Sequence, residues 1–191
     1  MFLSLLLVML TLQPVQDDVS SWMKLIESGQ LEQVEAEIRQ HPEQATPIIE
    51  ELLSQFDSSV HSWRDRPEQR RVRYSDDLLQ NGLTLTRLVT ELTGDNTLER
   101  RFEARRDRVR ATQMLNDGEF DEAMALIESV RGTARDLEDQ DFLFSTYLSS
   151  AYAYLGTGRP ESALVDCELA LSVAREIGES VKLTLALFNV G

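Results

Sequence analysis

The chain has 191 residues, 42% of them hydrophobic, with five prolines and nine glycines, a balance that excludes a disordered chain and allows one domain or two small ones. Leu, Ala, Glu, Gln and Arg dominate, and runs of Val, Ile and Thr are nearly absent, which favours helices. A net charge of −14 argues against nucleic acid and anionic lipid as partners.

The first segment, "FLSLLLVMLTL" (2–12), is an apolar run broken only by Ser4 and Thr11 and followed by Pro14. Its length suits the apolar region of a signal peptide and falls short of the roughly 20 residues a membrane span needs. Residues 1–16 are therefore expected to be a signal peptide, sending the protein to the periplasm or the extracellular space. No Lys or Arg precedes the run and no A-x-A-like site follows it, so the alternative is a cytoplasmic protein with a buried N-terminal helix. Uncleaved, this segment is the expected route to a membrane. No cysteine lies near residues 12–22, which disfavours a lipid anchor.

Residues 17–94 read as an irregular helical region. A serine cap and apolar residues at 22, 25, 26, 31, 34 and 38, broken at Gly29 and Pro42, predict helices at 20–28, 30–40 and 43–56. After Pro67, Val72, Leu79, Leu83 and Val89 fall near one helical face, with Asn81-Gly82 marking either a kink or a turn. "TGDN" (93–96) is the next loop. Two stretches, 61–73 and 99–110, are locally basic. They read as solvated helix faces carrying i,i+4 ion pairs, with an anionic-ligand patch as the alternative.

Residues 95–191 carry a repeat. Ala111, Gly118 and Ala123 recur forty residues later as Ala151, Gly158 and Ala163, and Gly191 lies forty after Ala151. A fixed period of this size marks stacked helical hairpins. The glycines supply turn conformations that a Cβ resists, and Pro160 opens a helix where its missing N–H costs nothing. The alanines have a packing reason: two antiparallel helices need small side chains where their axes approach. Ala151 is expected to face Ala163, and Ala170 to meet the next hairpin, with Tyr147, Tyr154, Leu164 and Leu171 filling the surrounding volume. A leucine at Ala163 would overpack the pair by ~1–3 kcal/mol.

In these residues the chain resembles the tetratricopeptide repeat family in its longer, about forty-residue form, over roughly residues 99–191. The family's aromatic, small, aromatic, glycine and alanine places read Tyr147, Ala151, Tyr154, Gly158, Ala163 and Ala170, followed by Leu171; its leucine place holds Ser150. The unit at 95–136 is degenerate, with Asp107, Arg110 and Val130 at motif places; 140–178 is the clear unit, and 180–191 starts a third. That third helix would leave Leu183, Leu187 and Val190 without a partner helix, so the chain reads as a fragment of a longer protein. The resemblance implies an all-α fold of hairpins stacked as a right-handed α–α superhelix. It implies a groove lined by Ser145, Leu148, Ser149, Tyr152 and Leu155 in the clear unit. Arg105, Arg108, Thr112 and Asn116 are their counterparts in the degenerate one, and Asn189 matches an asparagine that contacts the backbone of a bound peptide. The family's basic clamp for C-terminal carboxylates is not implied, because Leu148 and Tyr152 occupy two of its places.

Catalytic constellations are not legible. His41 and His61 have no carboxylate or cysteine at metal-ligand spacing, and "LGTGRPES" (155–162) lacks the lysine of a phosphate loop. Cys167, the sole cysteine, lies on the packed helix and is expected to be buried. The expectation is a non-enzymatic scaffold, without cofactor or metal, that binds a protein or peptide. Residues 17–94 resemble the helical regions that precede such arrays in large bacterial proteins. The alternative is therefore a sensor region of a multidomain protein whose caspase-like or signalling domain lies beyond residue 191. Self-association through the unfinished third repeat is a further expectation.

Overall fold

The computed structural model describes residues 16–61, 68–180 and 182–184, all of them in helices or short turns. The expected signal peptide lies outside the described residues apart from Gln16, as do Leu187, Asn189 and Val190. The chain divides into two compact units, Met1–Glu99 and Arg100–Gly191.

The first unit holds α1 (Gln16–Glu27), α2 (Leu31–Gln40), a short 3-10 turn (Pro42–Gln44), α3 (Ala45–His61) and α4 (Glu68–Thr93). Apolar residues recur at helical spacing and are buried: Trp22, Met23 and Ile26 on α1, Val34 and Ile38 on α2, Ile48, Ile49, Leu52, Leu53 and Phe56 on α3. The third helix starts two residues later than 43, because Pro42 directs the chain into the 3-10 turn first. It also runs past 56, since no breaker follows Phe56. Asn81-Gly82 makes no turn; α4 continues through it, and buried Thr86 donates its hydroxyl to the Gly82 carbonyl at 2.8 Å.

The second unit takes in α5 (Thr97–Asp117) from Arg100 onward, α6 (Phe120–Asp136), α7 (Gln140–Gly156) and α8 (Pro160–Ile177). The forty-residue period is visible in its packing. Ala111 and Ala123 share one buried cluster with Leu115, Ile127 and Ala153, while Ala151 and Ala163 share another with Cys167. Ala170 joins a larger cluster with Phe144 and Tyr147 of α7 and Val130 and Ala134 of α6, on which Leu183 also packs. Leu164, expected as filler, is instead 45% exposed. Position 164 sits one residue past Ala163, about 100° around the helix and away from α7. At Gly156 the backbone and the Phe120 ring approach so closely that an added Cβ would clash with the ring.

Candidate functional site

Along α7, the residues at 145, 148, 149, 152 and 155 fall on one helical stripe. Ser145 is buried and donates to the Asp141 carbonyl at 3.2 Å; Leu148 and Ser149 are half-buried, and Ser149 donates to the Ser145 carbonyl at 3.0 Å. Tyr152 and Leu155 are both 59% exposed, one turn apart. The stripe thus runs from buried and polar at the start of the helix to exposed and apolar at its end. On α5, Asn116 is exposed, and half-buried Thr112 donates to the Arg108 carbonyl at 3.0 Å.

Two arginines of α5 correct the reading of 99–110 as a solvated face, while Arg100, Arg106 and Arg110 keep to it, Arg106 pairing with Glu103 one turn away at 3.8 Å. Arg105 is 1% exposed and Arg108 is 8% exposed. The Arg105 guanidinium lies 3.0 Å from the Asp139 carboxylate and 4.5 Å from the centre of the Phe142 ring, and Arg108 stands 5.7 Å from that ring. Arg101 reaches the same carboxylate oxygen at 3.1 Å, while the other oxygen caps α7 by accepting the Phe142 N–H at 3.1 Å. Burial pushes the Asp139 carboxyl upward, and Arg105 and Arg101 more than undo it, leaving it below the ordinary aspartate range. Desolvated, with Arg105 paired to Asp139 and both guanidinium groups near the Phe142 ring, Arg105 and Arg108 belong to the buried contact between α5 and the start of α7.

A second buried network joins α6, α7 and α8. Arg131 donates to the Ser150 hydroxyl, Ser150 donates to the Asp166 carboxylate, and Arg131 reaches that carboxylate directly at 3.2 Å. The Arg131 guanidinium also lies 4.6 Å from the centre of the Tyr147 ring and 3.0 Å from Glu128. A leucine at 150 would remove the hydroxyl that accepts from Arg131 and donates to Asp166, leaving only the direct contact between the two charges. The network was not singled out from sequence. Its signal was there, since Arg131 and Asp166 interrupt the apolar runs Ile127, Val130, Ala134 and Ala163, Cys167, Ala170. Chemically the network is a cross-link. Ser150 has no exposed surface, and its neighbours are a carboxylate and a guanidinium, with no imidazole to take its proton.

Cys167 is buried as expected, and burial, with Asp166 beside it, pushes the thiol's pKa up, keeping it protonated at neutral pH. Among the described residues no group of three or more His, Cys, Asp or Glu is placed to hold a metal, and no helix is long and apolar enough to cross a membrane. No protein-family model, no curated protein and no solved structure matches the chain.

Proposed function

We propose that the protein is a non-catalytic interaction module of the tetratricopeptide kind, its hairpins stacked as a right-handed superhelix, which binds a peptide or partner helix along α7. The observation that carries this reading is the pair Tyr152 and Leu155, each 59% exposed at the end of a helix whose other side chains are largely buried. Tyrosine offers a large contact area at low entropic cost, and such anchors dominate binding energy where they become desolvated. Leu148, one turn earlier and half-buried, extends the apolar stripe towards a floor of serine hydroxyls. The equivalent alanine contacts forty residues apart support the stacking.

The test begins with peptides selected from a displayed random library on the immobilised full chain. Tyr152→Ala is expected to weaken the selected peptides by about 30-fold or more, roughly 2 kcal/mol, with the circular dichroism spectrum unchanged. Peptides that bind the variant as well as the wild type would remove α7 as the site.

A further inference from the structure

The outer face of α8 turns three aliphatic side chains to solvent: Leu164 is 45% exposed, Val165 54% and Leu169 40%. Helical spacing sets Glu161 and Glu168 between them, both exposed, with exposed Glu176 two turns further along. The forty-residue period supplies an internal control. In α6, Asp121, Glu128 and Asp136 stand where α8 has Glu161, Glu168 and Glu176. Ala125 and Ser129, both exposed, stand where α8 has Val165 and Leu169, and half-buried Met124 matches Leu164. The hairpin fold is therefore satisfied by a small and a polar residue at two of these places. The valine and leucine thus carry more exposed apolar surface than the fold requires at these places.

The carboxylates differ too. Glu128 is held by Arg131 at 3.0 Å, whereas the place equivalent to Arg131 is Leu171 in α8. Among the described residues no ion pair engages Glu161, Glu168 or Glu176.

We propose that this face of α8 is a second docking surface, which takes a cationic amphipathic helix whose apolar side chains cover Val165 and Leu169 and whose lysines or arginines meet Glu161 and Glu168. It lies on a different helix from Tyr152 and stands independently of the α7 reading. Charge complementarity selects the occupant. A second copy of the chain, with a net charge of −14, would bring three carboxylates against three carboxylates, with Arg175 alone on this face to offset them.

The probe is a fluorescent synthetic helical peptide with leucines along one face and flanking lysines, titrated against the full chain by anisotropy beside a twin carrying glutamates for lysines. The lysine peptide binds, and its affinity falls at least fivefold between about 50 and 300 mM salt. Val165→Ala with Leu169→Ser, the residues used by α6, weakens it about tenfold or more. Glu161→Gln with Glu168→Gln weakens it and flattens the salt dependence. Asp117→Asn with Glu119→Gln, which removes exposed charges from another turn, leaves affinity within about twofold. Four results would overturn the proposal: no binding of the lysine peptide, equal binding of its glutamate twin, a control variant that loses as much as the α8 variants, or a wild-type dimer in light scattering that Val165→Ala with Leu169→Ser dissociates.

Discussion

Asp139 does two jobs with one carboxylate: it caps the first turn of α7 and pairs with Arg105 and Arg101. Its folded-state pKa is depressed, so the stability it contributes is fully present above the ordinary aspartate value of about 3.9 and is lost as pH falls through the lower folded value. Asp139→Asn keeps a capping oxygen but takes the Asp139 charge away from buried Arg105, at a cost of about 2 kcal/mol or more at neutral pH. Thermal melts of both proteins between about pH 2 and 7 are expected to show that gap closing below about pH 4. A gap of equal size at both ends of the range would mean that the charge on Asp139 contributes nothing.

Turns between helices repeat one hydrogen-bond pattern. At four of them a backbone N–H reaches back five residues, Gln30 to Leu25, Glu119 to Met114, Asp139 to Ala134 and Arg159 to Tyr154, as in a Schellman ending. The left-handed place is taken by Gly29, by Gly118, by Glu138 with φ +53°, and by Gly158 with φ +69°. Glutamate there carries a steric penalty that glycine does not, partly offset by glycine's greater freedom in the unfolded chain. Glu138→Gly is expected to stabilise by about 0.5–1 kcal/mol, and Gly158→Ala to destabilise by about 1 kcal/mol. Urea midpoints read both signs at once, and a stabilising Gly158→Ala would show that the turn does not require the left-handed conformation.

Each unit has its own core, and this sets how far damage spreads. Asp166→Ala leaves Arg131 buried without its carboxylate partner in α8, a change expected to cost about 3–5 kcal/mol. Hydrogen exchange is expected to report that loss in the amides of 100–180, with protection in 31–57 and 78–93 unchanged. Protection lost equally in both regions would show that the two units unfold as one.

Local and periodic signals carried much of the architecture. Helical spacing predicts an all-α chain, Gly29, Gly118 and Gly158 mark turns, residues 93–96 interrupt the helices, and the alanine pairs 111/123 and 151/163 lie buried in shared clusters. Each of these depends on a residue's own backbone preference or on neighbours three and four places away, both of which are written in order along the chain. Two features of the candidate surfaces were not legible in this way: burial of Arg105 and Arg108, and the union of Arg131, Ser150 and Asp166 across three helices. The arginine-rich pattern of α5 reads as a solvated face until Asp139, 34 residues on, supplies the counter-charge, and Arg131 has no reason to be inside until Asp166, 35 residues on, meets it. A charge goes into a protein interior only with its partner, and which partner arrives is decided when the helices pack.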